Sequence, residues 1–244
     1  MIMKAKQVHM AGIEVSEVCF GTEHITVAAP EFGGALLAEA LESYGVNFWD
    51  TDNSYGSTTQ VAAALKIVDR KDVVIAAKTF GKTAEEAKDD LKRTLSTLDT
   101  DYIDIFLLHE VAAGSLPNLK PALSVLMEAK AAGTVRAVGL STHSAAIVNE
   151  ACEIDDIEII CAPLNYEGSR IDEGTLETML EALDRAHNKC NKGVYVIKVL
   201  GAGDLVFDVR RAIEWAKQYK DRIDVFNIGV SSMSEMRENL EILK

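Results

Sequence analysis

A single (β/α)8 (TIM) barrel with eight parallel strands is the fold class this sequence predicts, and three observations predict it. Short β-branched apolar runs alternate with longer stretches of helical periodicity, the alternation recurs eight times, and no low-complexity or Pro/Gly/Ser-rich linker breaks the 244 residues. Eight repeats at about 30 residues each use almost the whole length, close to the lower size limit of such barrels. One domain spanning residues 1–244 follows.

The elements can be justified in order. After a polar N-terminal segment, residues 15–20 read as the first strand and residues 33–44 as a helix with Leu36, Leu37, Ala40 and Leu41 on one face, closed by Gly45. Further strands are expected at 46–49, 73–77, 102–108, 135–139, 157–162, 193–199 and 225–228. Between and after them lie helical segments at 59–67, 84–98, 119–132, 145–154, 174–191, 209–219 and 234–243. The runs 72–78 and 102–109 are apolar almost throughout, as strands buried on both faces must be. The competing open, doubly wound sheet would want a G-x-G-x-x-G turn after its first strand, and Phe20-Gly-Thr-Glu23 does not supply one.

Composition narrows the partners. Lys+Arg of 25 against Asp+Glu of 38 gives a net charge of -13, which repels phosphate backbones and anionic lipid, so neither nucleic acid nor membrane is expected. The first residues lack the apolar core of a signal peptide, no run reaches the ~18 apolar residues of a span, and a cytoplasmic location is expected. Cys19, Cys152, Cys161 and Cys190 form no C-x-x-C pair, so neither a metal site nor a disulfide is expected.

In a barrel of this kind chemistry sits at the carboxyl ends of the strands. Four polar residues collect there: Asp50 after the second strand, Tyr55 in the loop that follows, Lys78 closing the third strand and His109 closing the fourth. Singly, an Asp or Tyr in such a loop is more often a cap or a packed ring, and a lone His is more often a satisfied core residue. Lys78 is harder to set aside, because an ammonium drawn into an apolar strand end needs a carboxylate, and Asp50 stands on the adjacent strand. A cation beside a phenol is expected to lower the Tyr55 pKa toward useful acid/base range.

The stretch Gly45-Val-Asn-Phe-Trp-Asp-Thr-Asp-Asn-Ser-Tyr-Gly56 resembles the signature of the aldo-keto reductases. Further similarity lies in Leu95-Ser-Thr-Leu-Asp-Thr-Asp-Tyr-Ile-Asp-Ile-Phe-Leu-Leu-His109, in Gly133-Thr-Val-Arg-Ala-Val-Gly-Leu-Ser141 and in Gly229-Val-Ser-Ser-Met-Ser-Glu-Met-Arg-Glu-Asn239, all in family order. The resemblance is to a short form, without the family's long substrate loops and C-terminal extension. It implies an oxidoreductase passing hydride between a nicotinamide dinucleotide and a carbonyl or alcohol. Tyr55 would be the proton donor, Lys78 and Asp50 the pair that tunes it, and His109 the residue orienting the carbonyl.

The same resemblance implies cofactor contacts at Ser141, Lys198, Gly201, Gly229, Ser231, Ser232, Glu235, Glu238 and Asn239. Departures occur where the family's usual Asn is Thr142, its Gln is Cys161, with Asn165 as the compensating residue, and its stacking aromatic is Ile197. Glycine turns opening the last two helices suit a pyrophosphate. Glu235 falls where many members place a residue beside the 2′-phosphate, so NADP(H), the family default, and NAD(H) both stay open. A small-molecule carbonyl substrate and a monomer or weak homo-oligomer are expected. Two other readings are carried: a dinucleotide-binding regulatory protein or pseudoenzyme, motivated by the altered positions, and, least favoured, a Schiff-base lyase using Lys78 or Lys198.

Overall fold

The computed structural model describes residues 4–27 and 29–244. The chain opens with an antiparallel hairpin of β1 (Gln7–Met10) and β2 (Ile13–Ser16), in which Gly12 turns at φ 77°. Its apolar face, Met10, Ile13 and Val15, belongs to the barrel's inner cluster, so the hairpin plugs one end of the barrel. The polar reading of this segment and a first strand starting at residue 15 are therefore corrected. The pairs Val8/Met10 and Ile13/Val15, on either side of the Gly12 turn, were the period-2 signal of a half-buried ribbon.

Eight strands then close into a parallel barrel, β3 (Val18–Gly21) to β10, with β10 paired back to β3. In chain order the repeat runs α1 (Pro30–Tyr44), β4 (Phe48–Asp50), α2 (Thr58–Ala64), β5 (Val74–Thr79), α3 (Ala84–Leu98), β6 (Ile103–Leu108), α4 (Lys120–Ala131), β7 (Val135–Ser141) and α5 (Ala145–Ala151). It finishes with β8 (Ile159–Pro163), α6 (Leu176–Asp184), β9 (Gly193–Ile197), α7 (Val209–Lys217), β10 (Val225–Gly229) and α8 (Met233–Leu243). The expected (β/α)8 barrel is thus the observed fold.

Boundaries moved where end chemistry outweighed periodicity. The first helix begins at Pro30 rather than residue 33, because proline's missing N–H is no loss in a first turn. The sixth, expected over 174–191, starts at Leu176 behind a Thr175 capping box and ends at Asp184, where a π-turn, Arg185–Lys189, takes over. Helix α3 matches its expected bounds, with Thr83 and Glu86 forming a reciprocal cap.

Strand parity sorts the core into two layers. One parity, including Cys19, Phe48, Val74, Ala76, Ile105, Leu107, Ala137, Ile159, Cys161, Tyr195 and Val225, fills the barrel. The other, including Phe20, Trp49, Ile75, Phe106 and Val138, packs under the helices. Asp104 faces outward on β6 and is fully buried. It is satisfied by Arg70 at 2.7 Å, Arg136 at 2.5 Å and the Ile75 amide at 2.9 Å, so its charge ties strand starts together away from the open end.

Candidate active site

Continuing the inward parity to the carboxyl ends of the strands gives Asp50 after Phe48, Lys78 after Val74 and Ala76, His109 after Ile105 and Leu107, and Ser141 after Ala137 and Gly139. The fold therefore sends these side chains toward one volume above the apolar layers. Lys78, 2% exposed, donates from Nζ to Asp50 Oδ1 at 2.5 Å and to the Thr51 carbonyl at 3.3 Å. The same Nζ lies 5.1 Å from the centroid of the half-buried Tyr55 ring. The His109 ring meets Tyr55 edge to face at 5.9 Å and Phe80 at 4.3 Å. All four residues singled out from the sequence are together.

The electrostatics correct one expectation. Burial pushes the Tyr55 phenol well above its ordinary value, against the lowering pull of Lys78, so the net shift is upward rather than toward neutrality. Burial also opposes the charge on Lys78, but the groups around it, Asp50 foremost with Tyr55 and Cys161, together outweigh it and the ammonium is held above its usual range. His109 is pushed down to about 2 by burial and by the Lys78 charge, so it is neutral at every working pH. Its tautomer follows from Ser141, which is 1% exposed. Ser141 Oγ accepts from the Glu110 amide at 2.9 Å and stands 2.8 Å from His109 Nδ1. The hydroxyl proton then has Nδ1 as its acceptor, which leaves the hydrogen on Nε2.

An open, shallow cleft with a cavity volume of about 120 Å³ runs from Asp50 and Tyr55 across Thr22, Lys198 and Asn227 to Gly203 and Gly229. Two of its residues are crossed by an ion pair at the mouth: Lys198, at φ 59°, reaches Glu23 at 3.3 Å. Backbone glycines allow the walls to close up, since a Cβ on Gly229 would come 2.7 Å from the His24 ring. At the start of α8, Ser232 caps the Glu235 amide at 3.3 Å, while Glu235 folds back to accept from the Ser231 amide at 2.8 Å. Glu238 is exposed and Asn239 is 3% exposed on the same helix.

Asn165 is engaged by the chain's own loops. It is 1% exposed, donates to the carbonyls of Ser169 at 2.9 Å and Lys198 at 3.2 Å, and accepts from the Glu167 and Ser169 amides. It clasps the loops after β8 and β9. Ser141 likewise spends its hydroxyl on His109 and Glu110.

Residues 17–211 match the model of the aldo/keto reductase family. The chain belongs to this family. It is 30% identical to L-galactose dehydrogenase of Arabidopsis thaliana over 53% of this chain and 46% of that protein. It is 29% identical to methylglyoxal reductase DkgB of Salmonella typhi over 48% and 45%. The chain spans about half the length of these curated relatives. An aldo-keto reductase from Bacillus halodurans, in its holo form, superposes with a TM-score of 0.81 at 20% identity, covering 98% of this chain and 91% of that one. The likeness in structure carries the barrel, not the chemistry.

Two residues of this aldo/keto reductase site were not singled out from the sequence. Tyr195 on β9 is fully buried and donates its hydroxyl to Asp50 Oδ2 at 2.7 Å. Its signal was a phenol among valines in Gly193-Val-Tyr-Val-Ile197, since a buried hydroxyl needs a partner. Asn227 ends the inward row of β10 and lines the cleft; on its own it reads as an ordinary strand-end polar residue. Among the described residues no helix is long and apolar enough to cross a membrane, and no group of three or more His, Cys, Asp or Glu could hold a metal.

Proposed function

We propose that this chain is a nicotinamide-dependent oxidoreductase that interconverts a small carbonyl compound and its alcohol, and one observation carries the reading. A phenol, a buried ammonium–carboxylate pair and a neutral imidazole converge at the open end of the barrel, beside an open cleft that runs to the Gly203 and Gly229 turns. Lys198, the Gly201–Gly203 turn, Gly229 and the start of α8 are the residues that would hold the dinucleotide. When bound, it supplies the hydride for carbonyl reduction or takes it up in alcohol oxidation.

The chain's own residues handle the proton. Burial keeps Tyr55 protonated, the form that donates to a carbonyl oxygen as that oxygen gains charge. The Lys78 ammonium, anchored on Asp50, stabilises the phenolate that remains. His109 Nε2–H orients the same oxygen without competing as an acid, because its imidazole is neutral. In the oxidative direction the roles reverse, and Tyr55 must first lose its proton.

Glu235 supports NAD(H) over NADP(H). Its carboxylate is already held at the Ser231 amide, where it would repel a 2′-phosphate and can accept from a ribose diol. Glu235→Arg is expected to move preference toward NADPH. For the activity itself, the test is Tyr55→Phe with methylglyoxal as the probe carbonyl. Turnover should fall by about 10²–10⁴-fold, with dinucleotide affinity by fluorescence titration unchanged. Undiminished turnover refutes the assignment, and wild-type binding of both dinucleotides without turnover favours the regulatory-protein reading.

A further inference from the structure

Packing alone does not explain why position 195 carries a hydroxyl. Tyr195 is fully buried in an inner layer otherwise made of Val, Ile, Leu, Ala, Phe, Met and Cys, and Phe48 holds its ring edge to face at 5.5 Å. A phenylalanine would fill that place without having to bury a polar group. The hydroxyl reaches across the barrel to Asp50 Oδ2, while Asp50 Oδ1 faces Lys78. Asp50 is thereby gripped from two sides, one oxygen for each partner.

We propose that Tyr195 is a positioning residue of the catalytic pair: by donating to Asp50 Oδ2 it holds the carboxylate single-pronged toward Lys78, leaving more of the Lys78 charge to act on Tyr55. Without that donor the carboxylate is free to turn both oxygens to the ammonium and neutralise it more completely. The withdrawn electron density points the same way, since a hydrogen bond accepted at Oδ2 weakens what Oδ1 presents to Nζ. Lys78 sits 5.1 Å from the Tyr55 ring, within range for its residual charge to be felt. On the neighbouring strand Cys161 is paired in register with Tyr195, and burial pushes its thiol up to about 12, so it brings no charge to the pair.

This role rests on the reductase reading, and the experiment separates the two. In alcohol oxidation, with acetol as the probe alcohol and either dinucleotide as oxidant, turnover rises with pH as Tyr55 is deprotonated. Tyr195→Phe is expected to displace that line by about one pH unit, a tenfold loss in kcat at each pH, with dinucleotide affinity unchanged. Replacing Tyr195 by 3-fluorotyrosine, a stronger donor of the same shape, is expected to displace it the other way. A purely structural hydroxyl would lower thermal stability and leave both lines where the wild type has them, and that result overturns the proposal. The ¹⁵Nζ resonance of Lys78, assigned by its loss in Lys78→Met, gives a readout independent of turnover. It should move in Tyr195→Phe. An unmoved resonance refutes the role of Tyr195, whereas a wild type inactive with both dinucleotides on acetol and methylglyoxal refutes only the reductase reading.

Discussion

Replacing Asp50 by Asn is the perturbation whose size the structure specifies best. The change keeps the side-chain shape but removes the one carboxylate bonded to Lys78 among the described residues, where the lysine side chain is 2% exposed. Two routes remain for the lysine, and they cost alike. If it stays charged, breaking a buried pair by removing one partner costs about 3–5 kcal/mol. If it gives up its proton, folding at pH 7 works against about 3.4 units of lysine pKa at about 1.36 kcal/mol each, or about 4.6 kcal/mol. For a chain of this length that corresponds to a fall in Tm of roughly 6–20 °C. The second route has a distinct signature. A lysine whose folded pKa is depressed binds fewer protons folded than unfolded, so the variant gains stability as pH rises, by about 1.4 kcal/mol per unit up to the unfolded value near ~10.4. Urea unfolding of wild type, Asp50→Asn, Lys78→Met and the double variant, at several pH values from neutral to about 9, measures all of this. The double variant should recover much of the loss, giving a coupling energy of about 2 kcal/mol or more. A single variant within about 1 kcal/mol of wild type at neutral pH would refute the claim that the pair is buried and mutually dependent.

Other outcomes follow from particular contacts. The pH profile of carbonyl reduction should lack the limb between about 6 and 7 that an ordinary histidine imposes, because His109 is pushed down to about 2, and it should stay level into alkali because burial keeps Tyr55 protonated. A limb in that range, read by initial rates, would show that His109 is charged in the working enzyme. Ser141→Ala removes the group that sets the His109 tautomer, and kcat in reduction should fall by about tenfold with little change in dinucleotide affinity. A fall in affinity instead would make Ser141 a cofactor contact. Gly34→Val in α1 should cost about 1–3 kcal/mol, since even a Cβ there would come within 2.8 Å of Ala63 and of the Ala64 amide on α2. Thr83→Ala should cost about 0.5–2 kcal/mol by opening the cap of α3, with activity retained.

The sequence by itself determined the barrel and the catalytic candidates. Period-2 runs alternating with 3.6-period runs leave one architecture for eight consecutive units. A lysine ending an apolar strand demands a nearby carboxylate, and both Lys78 and Asp50 fall at strand ends where such barrels work. These are local arguments, readable from neighbours in the chain. Only the tertiary structure decided what depends on partners far apart in sequence or on the depth of burial. Nothing beside Tyr195 in the chain reveals its partner, because its acceptor lies 145 residues away. Asn165 and Ser141 are also held by hydrogen bonds to loops and strand ends distant in sequence, which no local pattern announces. The direction of the Tyr55 shift turned on the same difference. A lysine nearby is visible in sequence and pulls the pKa down, whereas the desolvation that outweighs it is set by everything packed around the ring.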